Sequence, residues 1–311
     1  MSVVDAAAVP AARAPVLLFA LATAVIVQGL YVAQPLVGAI AASLGLPPAV
    51  ISLVSTLAML GYALGLFLLV PLSDLMESRR LVLLTLAANA LALLAAALPI
   101  PAPAFLAASL LAGLTAAVIQ MLIPMAAAMT VEAQRGRVIG NITSGLMLGI
   151  MLARPLASVI GGLWGWRTSY MALSLAIMAL TLMLGRSMPR LPPPQRTSYP
   201  ALLASMARLW REESLLRLRA IPAALCFGAF SAFWALVALR LASPPFKLGP
   251  DGIALFALAG VSGAVSAPLA GRLGDAGKTG IAKRVFHACI VLRQRWHGWA
   301  ARCMPHRGGW R

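Results

Sequence analysis

Charge is scarce in this 311-residue chain, and carboxylate is scarcer: 11% of residues are charged and only eight are Asp or Glu. Soluble domains carry roughly 25% charged residues, so a soluble globular protein is excluded. None of the eight carboxylates falls inside a long apolar run, so the usual buried proton carrier of a membrane protein is missing from these runs. The three cysteines show no pairing pattern and imply no disulfide framework, and Cys226 reads as a small packing residue inside a helix. Histidine is absent before His287. Paired acids, metal-ligand clusters and activated nucleophiles are absent near any apolar run, which argues against a polytopic membrane enzyme. The chain has no G-x-x-x-x-G-K-[ST] loop, which argues against an ATP-driven pump. Residues 1–15 are Ala- and Pro-rich without a small-residue cleavage site, so no cleaved signal peptide is expected.

What is present is apolar. Hydrophobic residues make up 61% of the chain and the mean hydropathy is +0.91. Runs near the length of about 20 residues that a helical span needs occur at about 16–42, 49–71, 80–99, 103–129, 138–162, 167–186, 220–242 and 252–273. They are continuous rather than alternating, so helices and not a barrel are expected. The predicted fold class is all-α integral membrane. The net charge of +17 is distributed by topology. Arg79, Arg80, Arg135, Arg137, Arg186 and the basic residues of 190–219 would share one side, whereas Arg167, Arg240 and Lys247 would face the other. The positive-inside rule then places the N-terminus in the cytoplasm.

The stretch Gly61–Arg80, GYALGLFLLVPLSDLMESRR, joins an apolar run to a charged turn. Gly61 and Gly65 make a small-xxx-small face for close helix packing, and Asp74, Glu77, Arg79 and Arg80 follow Pro71. This segment resembles the loop between the second and third helices of the major facilitator superfamily, G-x-L-x-D-x-x-G-R-R/K. Asp74, Arg79 and Arg80 match, while Glu77 and Ser78 stand where the family has its last glycine. A second copy, APLAGRLGDAGK, places Asp275 at a separation of 201 residues from Asp74, the period of a parallel half-repeat. The resemblance implies a cytoplasmic conformational lock built on Gly61, Gly65, Asp74, Arg79, Arg80 and Asp275. It also implies a complete N-terminal six-helix bundle plus about two helices of a second bundle.

Gln28, Tyr31 and Gln34 lie within about a third of the circumference of one helix, forming a polar face that either lines an aqueous path or bonds to neighbouring helices. Gln120 in the fourth run stands between the same two roles, and Asn89 reads as an interhelical hydrogen-bonding residue. In the fifth run Gly145 and Gly149 permit close packing, and Pro155 can kink the helix. This run is similar to the family's antiporter pattern G-x-x-x-G-P-x-x-G-G, and LARP followed by GWR is similar to exporters related to purine ribonucleoside efflux transporters. Arg154 is the one ionisable residue placed inside a run before the tail, about 24 Å from Val138 and so in the outer third of the core. It serves either an anionic substrate or gating, or it snorkels and packs on Trp164 or Trp166.

The expected organisation is a cytoplasmic segment 1–15, a bundle 16–186, a basic amphipathic cytoplasmic linker 187–219, a partial second bundle 220–280 and a basic tail 281–311. The tail, rich in Arg, Trp, His and Cys, reads as a frameshifted sequence; His287, His297 and His306 with Cys289 and Cys303 lack metal-ligand spacing. No cofactor, metal or specific nucleic acid is expected; membrane lipid, a small solute and a proton counter-ion are the expected partners. The resemblance implies proton-coupled efflux of a drug, nucleoside or sugar across a bacterial inner membrane. The alternative is a transport-inactive fragment of such an exporter.

Overall fold

The computed structural model describes residues 16–47, 50–189 and 198–244, together with Phe246, Leu248, Gly252 and Phe256. The expected eighth span apart from Gly252 and Phe256, the second motif copy with Asp275, the tail from 281 and residues 1–15 lie outside the described residues. Among the described residues all regular structure is helical: α1 (Val16–Tyr31), α2 (Ala33–Leu44), α3 (Leu53–Leu68), a 3-10 turn at Pro71–Asp74, α4 (Ser78–Ala97), α5 (Ala102–Ala116), α6 (Ile119–Ala128), α7 (Glu132–Trp164), α8 (Trp166–Ser187), α9 (Tyr199–Glu212) and α10 (Ser214–Ala242). Among the described residues six stretches are long and apolar enough to cross a membrane, and the bent pair α1–α2 makes a seventh. The first six in chain order form one bundle.

The first expected span is not one straight helix, because α1 and α2 meet at 43°. Pro35 accounts for the break. It has no N–H to give to the carbonyl of Tyr31, and its ring crowds that carbonyl. The fourth span is also broken, at Ala117 and Val118, where bonds of the i+3 type from Ala117 to Leu114 and from Val118 to Thr115 replace the α-helical pattern. In the fifth span α7 is continuous from Glu132 to Trp164 with Pro155 inside it. The helix is packed on both sides of the proline. Gly145 and Gly149 lie against the backbone of Ala20 and Ala24 below it, and Gly161 lies against Leu36 above it.

Close backbone approach sets the bundle's other main seam. Gly61 and Gly65 of α3 lie against the carbonyls of Leu110 and Leu114 of α5, and Gly113 returns the contact against Ala58. Large apolar side chains point outward, among them Leu84, Leu91, Leu148, Leu163 and Leu175, as expected for a bundle whose solvent is lipid. Cys226 lies in α10 as expected, but it is exposed rather than packed.

Polar residues join the helices where the apolar surface cannot. Asn89 of α4 donates through Nδ2 to the Ala112 carbonyl at 2.8 Å and to Thr115 Oγ1 at 2.9 Å, both on α5. Ser174 of α8 donates to the Ala90 carbonyl at 2.7 Å. Interhelical bonds in membranes contribute about 0.6 kcal/mol on average and up to about 1.7. Asn89→Leu is therefore expected to lower unfolding free energy by about 1 kcal/mol, read as an earlier midpoint in an SDS titration. An unchanged midpoint would contradict the linking role.

Candidate functional site

The bend at Val32 divides the expected polar face. Tyr31 ends α1 and Gln34 opens α2, and both turn to α7, where Arg154 meets them. Arg154 Nε donates to Gln34 Oε1 at 3.0 Å, and its guanidinium carbon lies 4.8 Å from the centroid of the Tyr31 ring. All three are buried, at 7%, 2% and 3% exposure for Arg154, Gln34 and Tyr31. The hydrogen bond fixes the orientation of the guanidinium plane, and the ring face receives its charge.

Along α7, Arg154 lies ten residues before Trp164, about 15 Å from that helix end. A guanidinium within the hydrocarbon core costs at least about 2.5 kcal/mol on insertion scales. Arg167 takes the place on tryptophan that was one alternative for Arg154. Its guanidinium carbon lies 4.2 Å from the Trp166 ring centroid and its Nη1 donates to Ser43 Oγ at 3.0 Å.

Gln28 does not join this cluster. Its Nε2 donates to its own helix at the Ala24 carbonyl, 3.1 Å away, and its side chain lines a groove between α1, α7 and α8. Gln120 is exposed and donates to the Tyr62 hydroxyl at 3.1 Å, linking α6 to α3. Tyr62 was not singled out from the sequence. The available signal was a phenol in the otherwise aliphatic second run, one residue after a glycine read only for packing.

The motif residues hold the opposite end of the bundle. Asp74 closes the 3-10 turn and is half-buried; Arg79 donates through Nη2 to the Gly185 carbonyl at the end of α8; Arg80 is exposed. Arg79 thus ties the start of the third span to the end of the sixth. At the same end, the Tyr199 hydroxyl of α9 donates to the Leu68 carbonyl at 2.9 Å, and Arg217 Nη1 donates to the Trp210 carbonyl at 2.6 Å across the α9–α10 corner. Gly145 and Gly149 form the α1–α7 seam and Pro155 is buried within α7, one residue beyond Arg154. Asp275 lies outside the described residues. Among the described residues no cluster of three or more His, Cys, Asp or Glu could hold a metal ion.

A buried polar centre in a bundle of apolar helices suits a membrane transporter, and comparison with known proteins agrees. The chain is 39% identical over 265 residues to the uncharacterized transporter YgaY of Escherichia coli, covering 85% of this chain and 67% of that protein. It is 34% identical over 283 residues to the probable transporter SCO4007 of Streptomyces coelicolor, covering 85% of this chain and 62% of that protein. The description of the Major Facilitator Superfamily matches residues 19–292. The chain is a multi-pass membrane protein and belongs to the major facilitator superfamily, a family of transporters.

Proposed function

We propose that this chain serves in secondary active, proton-coupled efflux of a small polar or amphipathic solute, a drug, nucleoside or sugar, by alternating access. The observation that carries the proposal is the buried cluster of Tyr31, Gln34 and Arg154 where α1, α2 and α7 meet. Substrate sites at the midplane on broken helices are a recurring solution in transporters, and an ionisable side chain retained there marks a pathway. In this reading Arg154 and Gln34 hydrogen-bond the solute and Tyr31 offers it a ring face. Gln120 lines the path further along, whereas Gln28, also expected on the path, lies in a separate groove between α1, α7 and α8. Gly145, Gly149 and Pro155 shape the fifth span.

Residues 16–186 form the first transport bundle, 187–219 the cytoplasmic linker, and 220–280 the beginning of the second bundle. Asp74, Arg79, Arg80 and Asp275, with the close seam at Gly61 and Gly65, form the lock at the cytoplasmic end. The N-terminus lies in the cytoplasm and the protein resides in a bacterial inner membrane, its basic loops against anionic lipid.

Efflux of a nucleoside, sugar and drug panel from cells expressing the chain tests this reading. At least one solute is expected to leave faster than from empty-vector cells, and an uncoupler that dissipates the proton gradient is expected to abolish the difference. Equal efflux with and without the chain across the panel overturns the proposal. Efflux that persists after the gradient is dissipated overturns the coupling.

A further inference from the structure

A groove on the bundle involves none of Tyr31, Gln34 and Arg154. Where α1, α7 and α8 meet, a groove of about 510 Å³, counted out to its open mouth, runs along the helices. Its walls are small because Ala153 and Ala157 of α7 and Ala172 and Ala176 of α8 line it, and the exposed Leu156 stands among its lining residues. Gln28 also lines it, with its amide nitrogen donating back to α1.

Nearest the Gly165 turn the groove carries Ser169. This residue is 2% exposed, and its hydroxyl makes no hydrogen bond. Other hydroxyls in the spans donate to the carbonyl four residues back, as Thr85, Ser109 and Thr181 do. For Ser169 that carbonyl belongs to Gly165, whose φ of 87° takes it out of the helical line. The carbonyl instead accepts the backbone N–H of Thr168 at 3.1 Å. A buried hydroxyl left without a partner is unfavourable, so the groove, apolar apart from Gln28, has one unmet hydrogen bond at the Ser169 end.

Three features identify the occupant. The mouth opens beside Leu156 of α7 and Ala172 of α8, both lining and exposed, on apolar spans whose outer surface meets acyl chains. Ser169 is the fourth residue of α8, so it sits about 5 Å below the start of that helix, near the edge of the hydrocarbon. From Ser169 to Ala176 the groove extends about 10 Å further inward, within the half-thickness of about 15 Å available to one leaflet. We propose that the groove holds one acyl chain of a phospholipid from the leaflet on the Gly165 side, whose ester carbonyl accepts a hydrogen bond from Ser169 Oγ. The site does not depend on what the chain transports.

The test uses the full chain, reconstituted into phosphatidylcholine vesicles with a trace of phosphatidylcholine carrying a diazirine midway along one acyl chain. Labelling is expected to concentrate on residues 153–157 and 172–176, above that of Leu148, Leu163 and Leu175. Ala172→Trp fills the groove and removes the excess. Ser169→Ala reduces retention of co-purified phospholipid roughly threefold to tenfold, the effect of one neutral hydrogen bond. Leu175→Trp, on the exposed face of the same helix, leaves both readouts unchanged. Should Ala172→Trp fail to fold, Ala176→Leu narrows the same groove with a smaller side chain. Labelling that merely follows exposure, or an excess that survives groove filling in folded protein, overturns the proposal. Displacement of the label by hexanol, but not by unlabelled phospholipid, assigns the groove to a small apolar solute and also overturns it.

Discussion

Gly61→Leu yields no monodisperse protein, and Gly61→Ala lowers the unfolding midpoint far more than a surface substitution does. The reason is geometric. A Cβ at Gly61 would overlap the Leu110 carbonyl of α5 and press on the Leu114 nitrogen, so the obstacle is backbone and no rotamer relieves it. Separating the helices to make room would also loosen Gly65 against Leu114 and Gly113 against Ala58. Helix association in lipid rests on such van der Waals contact, because there is no water to expel. Overpacking costs about 1–3 kcal/mol even where side chains can shift, and alanine's better helix propensity returns only about 1 kcal/mol. Gly61→Ala should therefore cost about 2 kcal/mol or more by SDS titration. Gly38→Ala is the control, since a Cβ there meets nothing within 4 Å; its midpoint should hold or rise. Equal midpoints for the two variants would remove the seam from the account.

Arg154→Gln reduces export of the transported solute at least tenfold, which corresponds to about 1.4 kcal/mol of lost interaction, with little change in the amount of folded protein. Glutamine keeps a donor to Gln34 but removes the charge and the planar fork over Tyr31. Arg154→Lys restores charge without the fork, so it should recover only part of the rate. Gln34→Ala should fall between wild type and Arg154→Gln, because it frees the orientation of the guanidinium while leaving its charge. Initial efflux rates, normalised to protein in the membrane, provide the measurement. If Arg154→Gln exports normally, the buried guanidinium is a structural brace between α7 and the two halves of the first span. If Arg154→Lys equals wild type, charge alone suffices and the stacking geometry has no role.

Hydropathy located the first seven spans to within a few residues because length and apolarity alone decide whether a segment can cross a bilayer. Glycine spacing identified both seams, since residues four apart share one helix face whatever lies opposite. Partners were not legible. That Gly61 meets α5, that Gly145 meets α1 and that Arg79 reaches Gly185 are facts of chain topology between residues far apart in sequence. The polar face of the first run shows a subtler limit. Angular spacing along a uniform helix groups Gln28 with Tyr31 and Gln34, but Pro35 breaks the helix between the last two. Gln28 stays with α1 and α8, while the other pair gathers around Arg154. Arg154 was visible as an intramembrane charge, but its partners Tyr31 and Gln34 lie across the bend of another helix. The orphaned Ser169 hydroxyl had no sequence signal, since it depends on the backbone angle of Gly165.

The 43° angle at Val32 makes α2 a lever arm. Twelve residues at about 1.5 Å each give it a length of about 18 Å. A change of about 10° at the joint therefore moves the Gly45 end by about 3 Å. Arg154 touches the chain on both sides of the joint, at the Tyr31 ring before it and at the Gln34 amide after it. A small shift of one guanidinium near the fulcrum corresponds to a displacement of several ångströms at the far tip, so the geometry amplifies movement with the stiffness of ordinary helix.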